Sequence, residues 1–193
     1  SVYVNQNEIS LYAQTGCGVA HCPSSNMRLA SGIMPLVEML QAGVKVGLGV
    51  DGSASNDGSH MLGEARQALL AARVRAGMLG ASLSGEGAPL LLTARQALEV
   101  ATRGSAAVLG RSDLGSLAPG KCADFFAINL QRLEYTGALH DPVAAVVFCA
   151  PVKADYTVIG GKFVVKAGEL VTLDLPRQIE AHNQAAWRLV AES

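Results

Sequence analysis

Two short apolar runs with one amphipathic stretch between them constrain this chain more than any other feature. Gly16-Cys17-Gly18-Val19-Ala20-His21 reads as a strand closed by Pro23. Val44 to Asp51 (Val-Lys-Val-Gly-Leu-Gly-Val-Asp) reads as a second strand, apolar on one face and small on the other. Between them Pro35 fits the first turn of a helix that sets Ile33, Leu36, Val37 and Leu40 on one side and that Gly43 ends. Strand, helix and strand within about thirty residues is a βαβ unit, which implies a parallel sheet with a right-handed crossover.

The rest of the chain extends this pattern and then leaves it. Val2 to Val4 reads as a strand end, and Gln6 to Gln14 carries Ile9, Leu11 and Tyr12 at helical spacing. A longer helix is expected from Met61 to Arg75, with Leu62, Ala65, Leu69 and Ala72 in one stripe. An exposed Gly/Ser-rich loop is expected from Gly77 to Pro89. Thr93-Ala-Arg-Gln96 is a capping box, so a helix starts there and runs to Leu109 before Gly110. From about residue 113 short strands are expected instead: Ala123 to Ile128, Val143 to Phe148, Tyr156 to Ile159, Phe163 to Val165 and Glu169 to Thr172. Gly160-Gly161 and Ala167-Gly168 fit hairpin turns. Pro176 opens a last helix with Ile179, Ala186 and Val190 on one side and Trp187 beside them. The fold class is α/β, divided as 1–112, a β segment 113–173 and a terminal helix 174–193.

Composition narrows the partners. Half of the 193 residues are hydrophobic and 16% are charged, which excludes disorder. Lys and Arg (15) nearly balance Asp and Glu (16), so no phosphate-tracking surface is present and no nucleic-acid partner is expected. No apolar run approaches the ~20 residues of a membrane span, and Ser1 to Ser10 lacks the basic start of a signal peptide. The expectation is no membrane partner and a cytoplasmic protein. Cys17, Cys22, Cys122 and Cys149 form no C-x-x-C pair and read as reduced thiols in a core-rich chain. The strand-like opening Ser1-Val2-Tyr3-Val4 suggests part of a longer polypeptide.

Several patterns carry candidate chemistry. Gly47-Leu48-Gly49-Val50-Asp51-Gly52 matches G-x-G-x-x-G, but its glycines alternate with apolar residues inside a strand. A dinucleotide site needs them in the turn after one, so the match is accidental. Cys17, His21 and Cys22 suggest zinc ligands, but in a strand Cys17 and His21 share a face and Cys22 points to the other, so the three converge only with a bend; Cys17 reads as structural, and Cys22 stays open because Pro23 ends the strand. His21 and Asp51 are better placed. Each is polar, each ends an apolar strand of one βαβ unit, and the carboxyl ends of such strands are where parallel α/β folds hold ligands. Polar Ser24-Ser25-Asn26 follows one, and Ser53-Ala54-Ser55-Asn56-Asp57 the other. Arg28 suits either an anionic or carbonyl-rich substrate or a surface salt bridge. His60, at a helix start, His140 and His182 read as structural.

These stretches have a family likeness. His21-Cys22-Pro23-Ser24-Ser25-Asn26, Gly32-Ile33 with Pro35, and Gly47 to Gly52 resemble the amidohydrolase superfamily, in the branch that deaminates purines, guanine, S-adenosylhomocysteine and s-triazines. Gly115 to Asp124 resembles that branch's passage into a small β-sandwich, and Val158 to Lys162 with Val165 to Gly168 its closing strands. Asn26-Met27-Arg28-Leu29-Ala30-Ser31-Gly32 and the run from Gly49 to Asp57 are most similar to 8-oxoguanine deaminases.

The resemblance implies the last strands of a (β/α)8 barrel, roughly six to eight, over 1–112, followed by part of a β-sandwich and a C-terminal helix. It implies one divalent metal, zinc in first place with iron as the alternative. Asp51 matches the family's eighth-strand aspartate, the metal ligand and catalytic proton acceptor. His21, Ser24, Ser25, Asn26, Arg28 and Ser53 would line the substrate pocket. The implied reaction is 8-oxoguanine and water to urate and ammonia. Guanine, S-adenosylhomocysteine or s-triazine aminohydrolysis or chlorohydrolysis is the alternative, and a non-catalytic interaction module the other reading. This sequence lacks the family's H-x-H, its fifth-strand histidine and the glutamate three residues beyond it. The expected partners are therefore a purine-like small molecule, the N-terminal part of the barrel and further copies in a homo-oligomer.

Overall fold

A computed structural model describes residues 1–80, 91–149 and 153–191. Packing divides them between two compact units, Ser1–Lys121 with Leu130–Pro151, and Cys122–Asn129 with Val152–Ser193.

The first unit is built on the βαβ unit. Strands β1 (Gly18–His21) and β2 (Lys45–Leu48) pair in parallel, from Gly18↔Lys45 to His21↔Leu48. A Gly49 N–H to His21 O bond of 2.9 Å extends the ladder. Helix α1 (Gln6–Thr15) precedes them, capped by Asn5. Between them come α2 (Pro23–Arg28) and α3 (Leu36–Gln41), and Gly43 follows α3 at φ +79°. Val19, Val46 and Leu48 share one strand face and lie in a core with Leu36, Met39, Ala65, Leu69 and Ala97. On the other face Gly47 meets a helix directly: a Cβ there would stand 2.6 Å from Ser105 Cα, and one on Gly104 would stand 2.2 Å from the Val46 carbonyl oxygen. The glycine of the G-x-G pattern thus serves strand-to-helix contact, as its position inside the strand indicated.

That helix begins at Thr93, whose hydroxyl accepts from Gln96 N–H (3.2 Å) while the Gln96 side chain accepts from Thr93 N–H (2.9 Å). It runs as α5 (Ala94–Glu99), a π-helical turn (Val100–Gly104) and α6 (Ser105–Val108). Ser105 Oγ accepts from Leu48 N–H at 3.1 Å, tying the helix to the end of β2. Helix α4 (Met61–Met78) packs on α2, α3 and α5.

Some expectations fail here. Val143–Phe148 is not a strand but α7 (Pro142–Phe148), which packs on α4 and α5 within the first unit. An apolar run of this length suits a buried strand or a buried helix equally. Asp141 decides, its carboxylate accepting from Ala144 N–H (2.9 Å) with Pro142 in the first turn. Ser24-Ser25-Asn26 is not loop but the body of α2, started by Pro23. Val2 to Val4 forms no strand. Most of the loop expected from Gly77 to Pro89 lies outside the described residues.

The second unit is one antiparallel sheet, β3 (Phe125–Ala127), β4 (Tyr156–Ile159), β5 (Lys162–Lys166) and β6 (Glu169–Leu170) in that order, and then α8 (Leu175–Ala191). Both hairpins turn where expected. Gly160 and Gly161 have φ +56° and +76°, Ala167 and Gly168 +52° and +83°, so both central residues are left-handed as a tight hairpin requires. Among the described residues no helix is long and apolar enough to cross a membrane. The four cysteines are free, and Cys17 is exposed.

Candidate active site

Asp51 stands three residues beyond β2, exposed, with φ +65°. A non-glycine residue holds that conformation only when its surroundings over-determine it, and here they do. Ser25 Oγ donates to Asp51 Oδ2 at 2.7 Å, with Ser55 Oγ 3.2 Å from the same oxygen, and Gly52 N–H donates to Oδ1 at 2.8 Å. These bonds, Ser25's first, then Gly52's and Ser55's, hold the carboxyl below the ordinary range, so it is ionised at neutral pH. Ser25 is buried at the start of α2 and Ser55 lies in the loop after β2, so the loops that follow the two strands meet at this one oxygen.

His21 ends β1 on the same face as Val19 and is 3% exposed. Its Nδ1 has no hydrogen-bond partner among the described residues. Burial lowers its pKa well below the ordinary 6.5, so the imidazole is neutral at pH 7. Cys22 faces the same loops. Burial, then the Asp51 and Glu64 charges, push its thiol up, and it stays protonated.

The other candidates divide. Ser24 meets the site through its backbone N–H, which donates to Glu64 Oε2 at 3.1 Å. Asn26 is half-buried on α2, and its carbonyl accepts from Ser31 N–H at 2.8 Å. Arg28 forms an exposed ion pair with Asp57, and Ser53 is exposed in the turn after Asp51. His60 caps α4, its Nδ1 accepting from Gly63 N–H at 3.2 Å. Two residues were missed in the sequence, Asn56 (6% exposed) and Glu64 (2%). Glu64 had left a signal: it falls on the buried stripe of α4 with Ala68 and Ala72, where a carboxylate needs a reason.

A sequence profile of the amidohydrolase family matches residues 1–164, and the chain belongs to that family. It is 48% identical over 98% of its length to an 8-oxoguanine deaminase of Pseudomonas aeruginosa, covering 40% of that protein. It is 38% identical over 98% of its length to a 5-methylthioadenosine/S-adenosylhomocysteine deaminase of Pelotomaculum thermopropionicum, covering 41% of it. The crystal structure of an atrazine chlorohydrolase from Arthrobacter aurescens complexed with zinc superposes with a TM-score of 0.81 at 36% identity, over 95% of this chain and 39% of that one. The chain thus spans about 40% of the length of the curated relatives it matches.

Asp51 is suited to be one ligand of the divalent metal implied by these neighbours: ionised, exposed, and fixed in direction by three donors. Among the described residues no three His, Cys, Asp or Glu stand together as a metal site. Zinc takes three or four protein ligands, so the described residues fit one of its corners and leave the others to be supplied.

Proposed function

We propose that this chain forms the last strands of the (β/α)8 barrel of a hydrolytic deaminase, with part of its β-sandwich and its C-terminal helix, and that Asp51 is that enzyme's metal ligand. The substrate is an oxidised purine: 8-oxoguanine and water give urate and ammonia. A bound divalent ion, zinc in this reading, supplies the Lewis acidity that makes water a nucleophile at neutral pH. Asp51 would contribute negative charge toward the cation, and its carboxylate would accept the proton that the attacking water gives up. Ser25 and Ser55 keep the carboxylate aimed. His21, neutral and with Nδ1 unmatched, offers the purine one hydrogen bond from a desolvated ring, and Ser24, Asn26, Arg28 and Ser53 complete the wall around it. The remaining ligands come from further barrel strands of the same polypeptide, and the assembled enzyme is a homo-oligomer.

One observation carries this reading: hydroxyls from two strand-end loops converge on one ionised carboxylate held at positive φ. Its test is ammonia release by the full-length protein from 8-oxoguanine, guanine, S-adenosylhomocysteine and a hydroxylated s-triazine under the same conditions. The highest kcat/KM is expected for 8-oxoguanine. A preference for a triazine would move the substrate to the alternative class. Among the described residues no three-ligand group stands together, which leaves a second reading, a non-catalytic module that only assembles. A full-length protein without bound zinc or ammonia release would select it.

A further inference from the structure

Glu64 is almost wholly buried, and both its oxygens are occupied. Oε2 accepts from Ser24 N–H at 3.1 Å and Oε1 from Asn56 Nδ2 at 2.8 Å. The donors belong to different segments, Ser24 to the first turn of α2 after β1 and Asn56 to the loop after β2. Asn56 is saturated in turn: its amide also donates to Val50 O (2.8 Å), and its Oδ1 accepts from Gly58 N–H (3.1 Å) and Ser59 N–H (3.3 Å). The neighbours of these donors are the two hydroxyl residues on Asp51. Ser24 precedes Ser25, and Asn56 follows Ser55. The two donors reach different oxygens of Glu64, and in an amide one of those two positions would be an NH2 facing a donor.

We propose that Glu64, through Ser24 and Asn56, is the positioning residue that fixes Ser25 and Ser55 around Asp51 and so sets the direction of its free carboxylate edge. Glu64 touches neither Asp51 nor substrate; it acts through the loops. This rests on the reading of Asp51 as a metal ligand, and the experiment separates the two.

Zinc affinity of the full-length protein is measured by chelator competition for wild type, Glu64→Gln and Asp51→Asn, with circular dichroism at the assay temperature and the visible spectrum of the cobalt(II)-substituted forms. Glu64→Gln is expected to stay folded, to bind zinc roughly ten- to a hundredfold more weakly, as loss of an outer-sphere partner does, and to alter the cobalt spectrum. A folded Glu64→Gln with wild-type affinity and spectrum overturns the proposal. If Asp51→Asn also keeps wild-type affinity, the assignment of Asp51 has failed; if Asp51→Asn alone loses zinc, only the role of Glu64 has. Should Glu64→Gln not fold, Asn56→Ser carries the same expectation. Unfolding of both variants overturns the proposal too, because Glu64 would then serve the fold and not the carboxylate.

Discussion

The two units use apolar residues in opposite ways. In the first, Met39, Leu69 and Ala97 are fully buried, and Asn56 and Glu64 are buried with their side-chain hydrogen bonds made, while His21 is buried with Nδ1 unpartnered among the described residues. In the second, Val158 alone of the described residues is among the buried hydrophobics. Phe125 and Phe126 are adjacent in β3 and so point to opposite faces, yet they are 40% and 47% exposed. Helix α8 buries none of its residues. The first unit therefore carries a core of its own that can hold a charged side chain in a strained conformation. The second is a sheet with two tight hairpins whose large hydrophobic residues, among those described, are exposed or half-buried apart from Val158.

Glycine substitutions break this comparison most sharply. Gly104→Ala drives a methyl into the Val46 carbonyl oxygen, backbone against backbone, and is expected to cost at least ~3 kcal/mol in denaturant unfolding of the full-length protein. Gly160→Ala meets open space and only the penalty of its φ of +56°, ~1 kcal/mol. Equal costs would mean that the two units are packed alike.

Acid is expected to act on the first unit through His21. Burial holds its folded pKa below the ordinary 6.5, so folding favours the neutral ring. That contribution is complete above pH 6.5 and is lost as pH falls through the lowered folded value. The imidazole resonances of the full-length protein, followed by NMR, should give His21 a pKa clearly below 6.5; a value near 6.5 would show the ring to be solvated. The smallest effect belongs to Arg28→Ala. Its pair with Asp57 is exposed on both sides, so stability should move by less than about 0.5 kcal/mol. A raised KM in the same variant would restore Arg28 as a substrate contact.

What the sequence disclosed follows the range of the interactions. The β1–β2 pair was legible because alternation is local, and the hairpins because Gly160-Gly161 and Ala167-Gly168 are turns in themselves. The same alternation carried the strand to Asp51, whereas β2 stops at Leu48 and Asp51 stands three residues beyond it at positive φ. The α7 segment misled because its apolar run lacks a period, although Asp141-Pro142 stood before it as a helix start. Glu64 showed only as a carboxylate on an apolar stripe; its partners lie 8 and 40 residues away, and only folding brings Asn56 and Ser24 to it. Arg28 was open between substrate and salt bridge until Asp57 came into reach.

The most direct trial of the account is the zinc content of Asp51→Asn in the full-length protein after dialysis, with circular dichroism on the same sample. The account predicts a folded protein that no longer retains zinc and releases no ammonia from 8-oxoguanine. A folded Asp51→Asn that keeps one zinc per chain and wild-type turnover would contradict it.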